Sequence, residues 1–148
     1  MTGARPVGSL LGISDILKEY LGGGTFAAQD LVMMDGSGEA IVATATSLLL
    51  GVANEAGTAS STGVQINITP YLQVIMDNDN DSTTFTAAHV GEYADFVGAT
   101  AAMYVDSSSH SVTTRAELWC LEYNPQGYGL DSDVSIGKYA IVESYLVG

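Results

Sequence analysis

Basic side chains are nearly missing from this sequence. Arg5, Lys18, Arg115 and Lys138 are the only four in 148 residues, against 17 Asp and Glu, for a formal charge of −13. Binding to a nucleic-acid backbone rests on Lys and Arg neutralising phosphates, so four scattered cations exclude nucleic acid as a direct partner. An anionic membrane is disfavoured for the same reason. Charge of either sign is scarce: 14% of residues carry it, where soluble domains average about 25%. With 47% hydrophobic residues and 17 glycines, an isolated monomer has few groups to solvate it. The composition therefore points to a surface covered by other subunits. The negative excess suits colloidal solubility, and on a particle coat it discourages clumping.

Cysteine and long apolar runs are scarce as well. Cys120 is the single cysteine, so no internal disulfide is available. Inside Leu118-Trp119-Cys120-Leu121 it reads as a buried, inert thiol. No stretch approaches the roughly 18 apolar residues of a membrane span. The apolar stretch Val7 to Leu11 is too short for a signal peptide and lacks a small-residue cleavage site. The expectation is a protein made in a cytoplasm, with no membrane partner. One domain of this length buries roughly 68–70% of its unfolded surface, enough for a core without metals or disulfides.

Catalytic constellations are missing too. Gly137-Lys138 is followed by Tyr139, where a phosphate loop needs Ser or Thr for magnesium. Ser37 in Asp-Gly-Ser-Gly lacks the spacing of a nucleophile elbow. His89 and His110 have no second His or Cys at zinc-ligand spacing, and each reads as a solvent-facing loop residue. The expectation is a protein that is not an enzyme. Asn67-Ile68-Thr69 and Asn80-Asp81-Ser82 match the glycosylation sequon, without meaning in a chain that is not secreted.

What is present is mostly β. The exception is the first segment, 1–24. Ser14 to Leu21 predicts two turns of helix, with Ser14 as N-cap, Asp15 in the first turn and Gly22-Gly23-Gly24 as the stop. Ile13, Ile16, Leu17, Tyr20 and Leu21 form one apolar stripe on it. So short a helix needs a docking partner, either its own domain or a neighbouring subunit reached as an arm. From Ala27 onward, Leu31 to Met34 and Ala40 to Ala43 flank Asp35-Gly36-Ser37-Gly38 as a hairpin. Leu48 to Ala53 is a short apolar run. Val64, Ile66 and Ile68 alternate with polar residues as a half-buried strand. Pro70 interrupts the ladder, and Leu72, Val74 and Met76 continue it. Tyr93 to Gly98, Ala102 to Val105, Thr113 to Tyr123 and Tyr139 to Val147 complete the strands. In the third of these, Leu118 and Cys120 point one way and Trp119, Leu121 and Tyr123 the other, which suits a strand between layers or against a partner. The fold class is all-β, a small barrel or sandwich, with a short N-terminal helix and extended arm at 1–24 and a β-domain at 25–148.

One segment concentrates hard oxygen donors. Asp77, Asp79 and Asp81 match the first three ligand positions of an EF-hand calcium loop, but Ser82 stands where Gly belongs and Ala88 where the bidentate Glu belongs. The EF-hand is rejected. A solvated acidic loop is favoured over an irregular calcium site on the three aspartates.

The order of these pieces resembles the head-decoration (capsid cement) proteins of tailed bacteriophages. The resemblance runs from Gln29-Asp30-Leu31-Val32-Met33-Met34-Asp35 through Leu49-Leu50-Gly51-Val52-Ala53, Gly91-Glu92-Tyr93-Ala94-Asp95-Phe96-Val97-Gly98 and Tyr104-Val105-Asp106-Ser107-Ser108-Ser109 to Leu118-Trp119-Cys120-Leu121-Glu122-Tyr123-Asn124-Pro125. It covers about residues 29–147, and its signature is the joint order. It implies a β-tulip-like domain, a homotrimer on the outside of the virion, and the major capsid protein as partner, with 1–24 as the gripping arm. No cofactor is implied. Ile13, Ile16, Leu17, Tyr20, Leu21, Trp119 and Tyr123 are the candidate capsid or subunit contacts. The alternative is a virion or surface module binding a carbohydrate or receptor, using Tyr104, Tyr123 and Tyr128 with calcium at the acidic loop.

Overall fold

The computed structural model describes residues 3–45, 47–81, 83–125 and 135–144. Tyr128, Ser82 and the end of the last apolar run at 145–147 lie outside them. The described chain is all-β. Its strands are β1 (Arg5–Ser9), β2 (Leu17–Gly22), β3 (Leu31–Met34), β4 (Glu39–Val42), β5 (Gly51–Ala53), β6 (Val64–Asn67), β7 (Leu72–Asp77), β8 (Tyr93–Ala94), β9 (Phe96–Ala99), β10 (Ala102–Val105), β11 (Leu118–Tyr123) and β12 (Ile136–Ile141). Two single 3₁₀ turns, Ala87–His89 and Ser107–Ser109, are its helical pieces. Among the described residues no helix is long and apolar enough to cross a membrane.

The strands sort into three groups. β2, β4, β3, β5 and β6 close on themselves in that order. An antiparallel sheet runs β1-β7-β12-β11-β8, and β9 and β10 make a separate hairpin. Closing so small a ring forces backbones together. A Cβ on Gly51 would lie 2.0 Å from the Asn67 carbonyl oxygen, and one on Gly22 2.0 Å from that of Thr58, so both positions admit only hydrogen.

The β3 alternation shows how one strand serves two cores. Leu31 and Met33 face a cluster with Val52, Leu72, Val74, Met76, Phe96, Leu118, Cys120 and Tyr139. Val32 and Met34 face the ring interior with Phe26, Ala40, Leu50, Val64 and Ile66. A strand covered on both faces reads as a continuous apolar run, as Leu31 to Met34 does. Val42 on β4 packs against both clusters. The β3–β4 hairpin is held by Asp35, whose Oδ1 accepts from the Ser37 and Glu39 backbone N–H groups at 2.7 and 3.1 Å.

The expected N-terminal helix is not there. Leu17–Gly22 is a strand, paired antiparallel with β6 (Leu17 with Asn67, Tyr20 with Val64) and parallel with β4 at Leu21 and Gly22. Two helical turns leave most of their terminal backbone groups unsatisfied, whereas β6 offers a ready ladder. Ile16 enters that ladder too: its N–H donates to Thr69 Oγ1 at 2.8 Å, and its carbonyl accepts from the Ile68 N–H at 2.9 Å. The segment expected as an extended arm supplies β1 to the sheet and β2 to the ring. Residues 11–15 cross between them outside either ladder.

Candidate binding surface

Changing helix to strand redistributes the N-terminal stripe. At strand period, Tyr20 and Gly22 turn inward, and Tyr20 packs on the ring core. Burial raises the Tyr20 phenol pKa, and the Lys18 ammonium sits 5.7 Å from its ring centroid. The other members face solvent: Ile13 is 40% exposed, Ile16 42%, Leu17 45% and Leu21 50%, joined by Leu10 at 49% and Leu11 at 58%. Six large aliphatic side chains thus line residues 10–21 in a chain short of charge.

This strip borders a cavity of about 470 Å³ lined by Leu10, Tyr71, Tyr93, Arg115, Trp119 and Val142. Register builds it. Trp119 on β11 lies opposite Tyr93 on β8, and their rings meet edge to face, 4.6 Å between centroids at 78°. Arg115 stacks over Tyr93 at 6.0 Å, and its Nε donates to Glu143 Oε1 at 2.9 Å. The Leu10 N–H donates to the Tyr71 carbonyl at 3.1 Å, which ties the strip to the rim. Tyr71 has φ +50°, the left-handed region that turns the chain just after Pro70.

Trp119 is therefore brought beside the N-terminal segment, but Tyr123 is not. The β11–β12 register slips between Cys120 and Glu122. That bulge adds one residue and returns Tyr123 to the core side, against Phe85 at 5.3 Å. Tyr104 sits half-buried on β10, away from Tyr123's ring cluster. The tyrosine set of the alternative reading is not assembled among the described residues. Leu10, Tyr71, Tyr93, Arg115 and Val142 escaped sequence reasoning because they lie on separate strands and loops. The one local signal was Trp119 pointing opposite Leu118 and Cys120.

The three aspartates do separate work. Asp77 is fully buried at the end of β7, opposite Ile136. Asp79 Oδ1 accepts from Ser107 Oγ at 2.7 Å and Ser107 N at 3.1 Å, fastening the Ser107–Ser109 turn. Asp81 is exposed. Among the described residues no three His, Cys, Asp or Glu side chains are grouped to hold a metal ion.

Two titratable sites are more buried than their sequence suggests. His89 and His110, expected in solvent, stack on each other at 4.4 Å and on Phe85. His110 Nδ1 faces the Ser107 carbonyl and its Nε2 the Tyr139 hydroxyl, each at 3.0 Å. Burial lowers the His110 pKa, opposed by the Ser107 contact. Glu117, 4% exposed, continues the β8–β11 register to sit across from Asp95. Burial, and then a hydrogen bond with Asp95, push its carboxyl up to about 8. Burial also pushes the Cys120 thiol up to about 11, the opposite of an activated nucleophile.

No protein-family model and no curated protein matches the sequence.

Proposed function

We propose that this chain is a head-decoration (cement) protein of a tailed bacteriophage. In this reading it binds the outer surface of the assembled capsid as an oligomer, a homotrimer, and works through its surfaces rather than through chemistry. The observation that carries the reading is the strip at residues 10–21, where Leu11, Ile13, Ile16, Leu17 and Leu21 are each 40% exposed or more. Contiguous exposed apolar surface on a soluble domain marks an interaction site. Among the described residues β2 meets β4 only at Leu21 and Gly22, and the rest of that edge adds hydrogen-bonding capacity. A clamp on neighbouring major-capsid subunits gains from such contacts by avidity, each copy adding a weak grip. The N-terminal segment grips as a strand and loop in this version, not as a helix.

The test is co-sedimentation of the purified chain with expanded tailed-phage heads built of major capsid protein and lacking any decoration protein, at raised salt. The expectation is saturable binding by the native chain and loss of binding by Leu11→Ser/Ile13→Ser/Leu17→Ser, with light scattering giving a trimeric mass. Failure of the native chain to sediment, or undiminished binding by the triple variant, refutes the reading.

A further inference from the structure

We propose that the cavity walled by Tyr71, Tyr93 and Trp119, with Arg115 at its edge, is a binding site for a neutral saccharide. Its volume, about 470 Å³, lies in the range of small-molecule sites, ~300–1,000 Å³. Tyr93 and Trp119 pack edge to face at 78°, and the aromatic surface they leave uncovered lines the cavity. Tyr71 supplies a third aromatic surface, with Leu10 and Val142 completing the lining. The faces of aromatic rings are electronegative, and they attract the weakly positive C–H faces of a sugar ring.

Charge removes the other ligand classes in turn. An anion has to approach a chain of net charge −13 and displace Glu143 from Arg115, whose 2.9 Å ion pair already satisfies the local cation. A cation meets the Arg115 guanidinium, which already lies over the Tyr93 face at 6.0 Å. A neutral apolar peptide fits the rings but covers the Arg–Glu edge with groups that return none of its hydrogen bonds, and such burial of unpaired polar groups is costly. A saccharide meets both demands. Its hydroxyls accept from the Arg115 N–H groups that Glu143 leaves free, while its C–H face covers the aromatics. The site shares no tyrosine with the set suggested by sequence, and it needs no calcium.

The inference goes beyond capsid docking and is tested on the free chain, so neither result depends on the other. Trp119 is the single tryptophan, so intrinsic fluorescence reports this cavity directly. The probes are maltopentaose, cellopentaose and chitopentaose, with a sialylated oligosaccharide as the anionic arm and a neutral proline- and leucine-rich peptide as the apolar arm. The expected result is a saturable Trp119 shift with at least one neutral oligosaccharide, at a Kd of ~1 mM or tighter. That shift weakens tenfold or more in Tyr71→Asn, which keeps a residue tolerant of positive φ, and in the surface variant Arg115→Gln. Each variant is checked by circular dichroism, and the properly folded one decides if the other is not. No saturable shift up to ~30 mM, well above that Kd, overturns the proposal. So does a shift unchanged in the folded variants, or binding confined to the sialylated probe or the peptide.

Discussion

Replacing Glu117 by Gln removes one proton-binding group from a site that water scarcely reaches. Glu117 is 4% exposed, its Oε2 has no hydrogen-bond partner, and Asp95 faces it across the β8–β11 pair. Like charges directly opposite on paired strands repel, so the folded chain keeps the Glu117 carboxyl protonated and hydrogen-bonded to Asp95. The native pKa of about 8 stands above the ordinary 4.5, so the unfolded chain is the one that releases this proton first. Stability from this group is complete below pH 4.5 and is lost as pH rises through about 8. At ~1.36 kcal/mol per pKa unit the loss is capped at ~5 kcal/mol, and screening through the exposed Arg115 edge reduces the expected value to ~1–3 kcal/mol. Gln keeps the shape, carries no charge and donates an N–H to Asp95. Urea unfolding followed by Trp119 fluorescence from pH 4.5 to 8.5 measures the effect. Glu117→Gln is expected to be more stable than the native chain by ~1–3 kcal/mol at the alkaline end and to converge with it at the acid end. Two parallel stability curves refute the shared proton and the burial argument behind it.

His110 acts in the opposite direction. Its native pKa lies below the ordinary 6.5, so the unfolded chain takes up the proton first and stability falls as pH drops below 6.5. In a Glu117→Gln background, His110→Gln should flatten the stability curve below pH 6.5, and an unchanged slope counts against it. Gly51→Ala places a Cβ 2.0 Å from a backbone carbonyl and should cost ~3 kcal/mol or more by overpacking. Gly63→Ala meets only the Glu19 side chain at 3.3 Å and should stay within ~0.5 kcal/mol. Thermal melts of both variants give the comparison, and equal costs contradict the close-approach argument. Cys120, with its thiol at about 11, should resist a disulfide reagent in the native chain and react once urea unfolds it. Rapid native labelling refutes that burial.

Local chemistry carried much of the fold. Asp35 with Gly36 and Gly38 specifies its hairpin from within six residues, and the two-residue alternation of Val64 and Ile66 marks β6 on its own. The misread segment shows where such reasoning stops. Ile13, Ile16, Leu17, Tyr20 and Leu21 recur at helical spacing, yet Leu17 to Tyr20 find their backbone partners on β6, 44 to 50 residues away. Nothing inside 14–21 announces that partner. The β11 bulge is a second instance, since the face taken by Tyr123 depends on a register slip against β12. The cavity is the third. Its lining comes from six separate places in the chain, and only Trp119 carried a directional signal.

The placement of β1 at one margin of the sheet bears on how the chain is made. Among the described residues Arg5–Ser9 has β7 as its only strand neighbour, 63 or more residues downstream. β7 in turn waits for β12 at Ile136–Ile141 to fill the centre of the sheet. Synthesis runs at ~5–20 residues per second, so β1 stays without β7 for several seconds after it leaves the ribosome, while Leu10, Leu11 and Ile13 trail behind it uncovered. The sheet is completed only once β12 has emerged, and in that interval the exposed strip at residues 10–21 is the segment most in need of a chaperone.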